Sequence, residues 1–287
     1  MDLFDAVIQG IIQGLTEFLP VSSSGHLSVY QHFTGNSGEA VGVYSILLHL
    51  GTLLAVCIAF YREIFDMIKE FFAMAKEIVT GKFDKKNMTG SRRMIFLLII
   101  SLLPLCVFYF ISDFYNSLST DNDIVVEGLW FLLTAALLLV SGKCVKAGGT
   151  TAENMTWKQA LGMGIAQGIA PLPGLSRSGS TISTGLILGV SRDQAVAFSF
   201  IMGVPAVLAA NVLEVPAAIT GSVDINWGAA LVGMFISLAV GIAAIKTVKL
   251  LVKNDKFTLF AWYLIPLGVI ITGIGIFEHI TGTVITF

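Results

Sequence analysis

Apolar residues run almost unbroken through six stretches of the chain: Val43–Tyr61, Met94–Ile111, Ile124–Ser141, Gln194–Val215, Trp227–Ile245 and Thr258–Ile280. A helix that crosses a bilayer needs about 20 predominantly apolar residues, so each stretch predicts one spanning helix. Two further apolar segments, Phe4–Leu19 and Trp157–Ala170, are shorter and end at Pro and Gly. Each is followed by a still shorter piece, His26–Phe33 and Ser180–Val190. Such segments suit helices that enter the membrane, break and turn back, which predicts re-entrant hairpins at 4–33 and 157–190. Between the first two spans, Ile64, Ile68, Phe71, Ala75 and Ile78 recur at helical spacing with charges opposite. That pattern predicts an amphipathic helix in the membrane surface.

Composition points to the same solvent. The chain has 287 residues, 55% of them hydrophobic and 13% charged, with a mean hydropathy of +0.83; soluble domains carry roughly 25% charged residues. A formal net charge of −2 leaves no basic face to neutralise phosphates along a duplex, which argues against nucleic acid as a partner. Cys57, Cys106 and Cys144 have no metal-ligand spacing and read as small packing residues. The start, Met1–Asp2, has no basic segment of the kind that opens a cleaved signal peptide.

The basic residues orient the spans. Eight Lys/Arg lie between Arg62 and Arg93; Lys143, Lys146 and Lys158 form the next cluster, and Lys246, Lys249, Lys253 and Lys256 the last. Connections 112–123 and 216–226 carry none, and neither do 1–61 or 257–287. Alternating assignment then puts every basic cluster, with Arg192, on the cytoplasmic side and both termini outside. Arg177 alone refuses the scheme, because it falls in the second broken segment. An ionisable group at that depth is a functional candidate.

Sliding the chain by 154 positions lays Gln13-Gly14 on Gln167-Gly168, Ser22 on Ser176, and Ser24-Gly25 on Ser178-Gly179. Each half, 1–150 and 151–287, then reads as one re-entrant hairpin plus three spans. Three is odd, so the halves take opposite orientations and the hairpin tips can meet near the midplane. The predicted architecture is an all-α polytopic membrane protein, a single integral-membrane domain over 1–287 built as an inverted repeat.

The tips carry the chemistry. Gln13 and Glu17 are four apart and share a helix face; Pro20 ends that helix, and Ser22, Ser23 and Ser24 form a turn that caps a helix beginning near His26. The segment "PLPGLSRSGST" (171–181) repeats the break and adds Arg177, with Ser178 or Ser180 as the cap. Two helix N-termini, several hydroxyls and one guanidinium make an anion site, with phosphate the natural occupant. A carboxylate beside an anion repels it unless it moves a proton or holds a bridging divalent cation, so Glu17 is assigned one of those tasks. His26 can act as nucleophile or general acid. Serines in a helix break are ordinarily caps and a lone Gln is ordinarily interhelical glue; it is the joint occurrence of Glu17, His26 and Arg177 in matched breaks that favours function. His49, whose repeat counterpart is Gly203, reads as packing or site-lining; Glu127, Glu214, His32 and His279 fall near the interfaces.

Taken together, "QGLTEFLPVSSSGH" (13–26) and "PGLSRSGST" (173–181) resemble the motifs of the undecaprenyl-diphosphate phosphatase, or bacitracin-resistance, family of bacterial membranes. Gln13 and Glu17 fill the first motif in its glutamine version. Pro173, Gly174, Ser176, Arg177, Ser178 and Thr181 fill the second. The resemblance implies hydrolysis of undecaprenyl diphosphate to the monophosphate and inorganic phosphate, which recycles the lipid carrier of cell-wall synthesis and confers bacitracin resistance. It implies a divalent cation, Mg²⁺ or Ca²⁺, at Glu17 with Gln13, and a site open to the outer face of the inner membrane. Glu17 would serve the metal or the proton, Ser23 or His26 would be the nucleophile, and Arg177 would clamp the diphosphate. Gln13, Ser22, Ser24, Ser176, Ser178 and Thr181 would contact the phosphate groups. The implied partners are the bilayer and a polyprenyl diphosphate lipid, with a homodimer as an assembly open to the chain. A transporter or flippase of a phosphate-bearing lipid is the alternative, since it needs anion contacts but no nucleophile.

Overall fold

The structure, a computed structural model, describes residues 2–35, 39–83, 88–110, 124–144, 148–172, 174–220 and 225–286. Eleven helices occur among the described residues: α1 (Leu3–Thr16), α2 (Ser23–Thr34), α3 (Glu39–Ala59), α4 (Tyr61–Val79), α5 (Gly90–Tyr109) and α6 (Val125–Cys144), then α7 (Trp157–Ile169), α8 (Arg177–Ile187), α9 (Arg192–Thr220), α10 (Trp227–Lys253) and α11 (Leu259–Thr281). By length and composition α5, α6, α10 and α11 can each cross a bilayer. The count rises to five if α3 and α4 form one span, bent by 81° at residue 60. The run at 194–215 lies in α9, and the basic-free connection 112–123 lies outside the described residues, as does Pro173 of the second motif.

α4 is the amphipathic helix that the 62–91 segment predicts. Its inner end is fixed by Arg92 at the head of α5, which donates from Nε to Glu70 (2.6 Å) and from both Nη atoms to the Glu77 carboxylate (2.9 and 2.7 Å). Phe65, Ile68, Phe71 and Phe72 of α4 are exposed. So are Ile99 and Leu103 on α5, Leu129 and Leu133 on α6, Phe235 on α10, and Trp262, Val269 and Ile270 on α11. Exposed apolar surface on this scale belongs against lipid.

The core beneath is bound by aromatic and small residues. Phe18 meets Phe200 edge-on at 5.3 Å, and Phe60 packs on the same ring at 6.0 Å. Apolar helices gain nothing by leaving lipid for one another, so close backbone approach has to hold them together. α1 lies along α10, where a Cβ at Gly10 or Gly14 would sit 2.7 Å from the carbonyl oxygens of Gly233 and Ser237. α7 lies along α5 in the same manner, with Gly164 on Ser101 and Gly168 on Phe108. α6 pairs with α11, and α3 with both α9 and α10.

Polar contacts sort the two ends of the bundle. At one end Arg93 donates to the Met155 carbonyl (2.9 Å), Arg192 pairs with Asp255, and Lys249 covers the Phe60 ring at 3.6 Å. At the other, Tyr30 donates to Asp5 (2.8 Å), His32 pairs with Glu278 (3.0 Å), and the Tyr44 hydroxyl meets Asn226. Hairpin one, α1 and α2, therefore starts and finishes at the end without basic residues. Hairpin two, α7 and α8, is closed at the basic end, where Thr150 exchanges backbone bonds with Gly189 (3.0 Å) and Ser191 (2.9 Å).

Candidate active site

Each tip is built by one serine that closes a helix. Ser22 is the N-cap of α2 and accepts from the Gly25 N–H (3.2 Å); Ser176 is the N-cap of α8 and accepts from the Gly179 N–H (3.0 Å). Ser24 then sits 3.3 Å from Ser22, and Ser178 3.3 Å from Ser176, hydroxyl to hydroxyl. Ser22 is one of the three serines expected to cap α2, but the start of α2 and the α8 cap both lie earlier than the sequence predicts. α2 begins at Ser23 instead of near His26, and the α8 cap is Ser176 instead of Ser178 or Ser180. The reason is that a cap must bond the N–H three residues on, and at both tips that residue is a glycine. One difference lies in the backbone: Ser22 holds φ +72°, whereas Ser176 holds −73°.

The tips meet on Glu17, the C-cap of α1. Its Oε1 accepts from Arg177 Nη2 at 2.6 Å, across the two hairpins. Its Oε2 accepts from Ser23 Oγ at 2.6 Å and from Gln13 Nε2 at 3.1 Å, as the four-residue spacing predicts. His49 Nε2 lies 3.9 Å from the same oxygen, while its Nδ1–H donates to the Ser45 carbonyl (2.8 Å). Ser178 Oγ donates to the Leu19 carbonyl at 3.1 Å and ties the second tip to the first. Gly203 leaves the space that the guanidinium occupies, since a Cβ there would collide with Arg177 Nη1.

These groups wall a cavity of about 390 Å³ lined by Glu17, Ser22, Ser23, Ser24, Ser176 and Arg177 together with Ser45, His49, Gln167 and Asn211. A larger cavity of about 610 Å³ opens at the basic end, but Glu63, Asp66, Glu153 and Asp193 on its wall would repel a polyanion. Four candidates stand off the smaller cavity: Ser178, buried and turned to the Leu19 carbonyl, with His26, Thr181 and Gln13. His26 Nδ1–H donates to the Ser22 carbonyl (2.7 Å), its Nε2 lies 2.8 Å from the Tyr263 hydroxyl, and its ring stacks on Tyr263. Thr181 is buried, bonding the Arg177 carbonyl (2.8 Å) and Ser199 Oγ (2.6 Å). Gln13 is buried behind Glu17. Asn211 was absent from the sequence reading; a lone amide in an apolar run was its signal. Gln167 had a plainer one, its place under Gln13 in the repeat.

No three His, Cys, Asp or Glu side chains group as a metal site among the described residues. The donor set still suits a cation that shares its shell with phosphate: Gln13 Oε1 is buried beside Glu17 with no hydrogen-bond partner, and Mg²⁺ is ordinarily held by one or two protein carboxylates plus substrate oxygens.

Fold and site thus define a class, an integral-membrane protein with a cavity between two helix breaks lined by serines, a carboxylate and a guanidinium. Residues 6–270 match the family described as bacitracin resistance protein BacA. The undecaprenyl-diphosphatase of Alkaliphilus metalliredigens is 37% identical over 274 residues, covering 94% of this chain and 98% of that protein. Those of Treponema denticola and Methanosphaera stadtmanae are each 34% identical, covering 93% and 94% of this chain and 96% and 97% of their own. The chain belongs to the BacA family.

Proposed function

We propose that this protein hydrolyses undecaprenyl diphosphate to undecaprenyl phosphate and inorganic phosphate, with Ser23 as nucleophile. The observation that carries the reading is the pair of 2.6 Å bonds by which Glu17 receives Ser23 Oγ on one oxygen and Arg177 on the other. Ser23 is already donating to the carboxylate that would take its proton, at the first turn of a helix whose N-terminus favours anions. Attack of Ser23 Oγ on the terminal phosphorus breaks the bridging P–O bond and releases undecaprenyl phosphate; the proton passes to Glu17. Water then attacks the phosphoseryl phosphorus. Glu17 returns its proton to Ser23 Oγ, and the protons of the water leave with inorganic phosphate. Arg177, with Nη1 unpartnered, holds non-bridging oxygens throughout. His26 supports the tip by bonding the Ser22 carbonyl.

Glu17 and Gln13 Oε1 would hold the divalent cation, Mg²⁺ or Ca²⁺. Such an ion neutralises charge that builds on the phosphate oxygens.

The entry of the hairpins from opposite ends, and the exchange by which α1 meets α10 while α7 meets α5, support an inverted repeat of 1–150 and 151–287. The gathering of basic residues at one end supports an orientation with that end cytoplasmic, both termini outside and hairpin one reaching in from the outer face.

The test is phosphate release from undecaprenyl diphosphate by the purified protein in detergent, with and without chelator. Release by the wild type, its suppression by chelator and its loss in Ser23→Ala support the reading. A wild type that binds the lipid but releases no phosphate would favour the transporter instead. Ser23→Ala with wild-type turnover would remove Ser23 as nucleophile.

A further inference from the structure

Two amides in the cavity wall have nothing to bond. Gln167 is 2% exposed, and neither its Nε2 nor its Oε1 has a partner; Asn211 is 7% exposed, and its Nδ2 has none. Both line the cavity that holds Ser23 and Arg177, whose Nη1 is likewise unpartnered. Buried polar groups are ordinarily bonded, and two such amides on the wall of one cavity mark the place of a polar ligand.

The repeat explains how Gln167 came free. It lies under Gln13, which commits its Nε2 to Glu17; the position under Glu17 is Pro171, which offers no carboxylate. The amide of hairpin two therefore has no partner on its own helix and faces the cavity.

We infer that Gln167 and Asn211 hold the terminal phosphate of the diphosphate, the group released as inorganic phosphate. This rests on the phosphatase reading above. The terminal phosphate is the one that Ser23 attacks, so groups sharing that cavity surround it. Its chemistry also matches an amide: a phosphate monoester dianion takes a proton with a pKa near 6, so the terminal group presents both P–O⁻ and P–OH. Gln167 offers one donor and one acceptor to that pair, and Asn211 adds a donor. The inner phosphate, joined to the lipid by an ester bond and to the terminal phosphate by an anhydride bond, has no hydroxyl to give the Gln167 carbonyl.

The experiment is product inhibition of the purified enzyme by inorganic phosphate, measured alongside turnover of undecaprenyl diphosphate. Gln167→Leu and Asn211→Leu are each expected to weaken phosphate inhibition at least about tenfold and to lower kcat/KM by about 10–100-fold, the loss typical of a removed ligand contact. Gln167→Glu keeps the shape and adds a like charge, so it decides the matter if Gln167→Leu fails to fold; it too should weaken inhibition at least about tenfold. A wild-type inhibition constant in Gln167→Glu, or in either folded Leu variant, overturns the assignment. If the wild type itself releases no phosphate, it is the phosphatase reading that has failed.

Discussion

Hairpin one places Ser23 at the first position of α2, and hairpin two places Arg177 at the equivalent position of α8, 154 residues on. Around them the caps are the same, a serine on a glycine N–H with a second serine beside it. The exchange that sets the charges lies where the tips face each other. Hairpin one has Glu17 where hairpin two has Pro171, and His49 on α3 faces what Gly203 on α9 leaves open. A duplicated break thus gives one half that holds the carboxylate and the serine bonded to it, and another that holds the counter-charge. Neither half alone could bury its charged group in lipid: an unpaired ion at mid-membrane costs at least about 2.5 kcal/mol, and the Glu17–Arg177 bond offsets that cost for both.

The largest effect should come from removing the counter-charge. Arg177→Ala is expected to lower turnover by about 10³–10⁵-fold, the range for an arginine that stabilises phosphoryl transfer. Arg177→Lys keeps the charge and should still lose most activity, because a lysine cannot reach Glu17 and phosphate with two separate Nη atoms. Near wild-type phosphate release by Arg177→Lys would reduce the residue to a diffuse positive field. Glu17→Gln comes next, with a loss of about 10²–10⁴-fold, the usual worth of a positioned base. The amide keeps the shape, so the variant should elute as the wild type does on size exclusion; full turnover would break the division of labour between the halves.

Both hairpins, their short helices and the joint occurrence of Glu17 and Arg177 at the breaks could be read from the sequence. Breaks in apolar runs are conspicuous in lipid, where any unpaired backbone must be accounted for, and Arg177 was the one cation outside the basic clusters. Cap positions were less legible, since three serines in a row compete and only the placement of Gly25 and Gly179 decides among them. His26 is a site candidate in sequence because an imidazole can serve as nucleophile or general acid; its ring turns toward Tyr263, and periodicity carries no record of that. Gln167 and Asn211 were hidden for a different reason. An isolated amide in a span is as common between packed helices as in a site, and only burial without a partner separates the two.

A smaller effect tests the facing positions. Gly203→Ala pushes a methyl group against Arg177 Nη1, and a displacement of about 1 Å at a catalytic group can lower rate 10²-fold. His49→Ala, its counterpart, removes a ring that only approaches Glu17 at 3.9 Å, and should cost about tenfold or less at a distance beyond a hydrogen bond. Equal losses in kcat for the two variants would mean that the halves do not differ there in the way the geometry says.

The smallest effect concerns stability and the two caps. Ser22 and Ser176 make the same bond to a glycine N–H, but Ser22 does so at φ +72°. A side chain held at positive φ carries strain of about 1 kcal/mol that glycine does not. Replacing a capping serine by glycine costs only a few tenths of a kcal/mol for the lost bond, plus about 0.5–1 kcal/mol for the freer unfolded chain. At Ser176 both costs stand, so Ser176→Gly should destabilise by about 1 kcal/mol. At Ser22 the released strain offsets them, so Ser22→Gly should be close to neutral. The difference corresponds to a gap of about 2 °C in thermal unfolding for a chain of this size, measurable by melting the two variants side by side in one detergent. If both melt together below the wild type, Ser22 is unstrained, and the two tips are alike in their backbones and unlike only in the side chains they present.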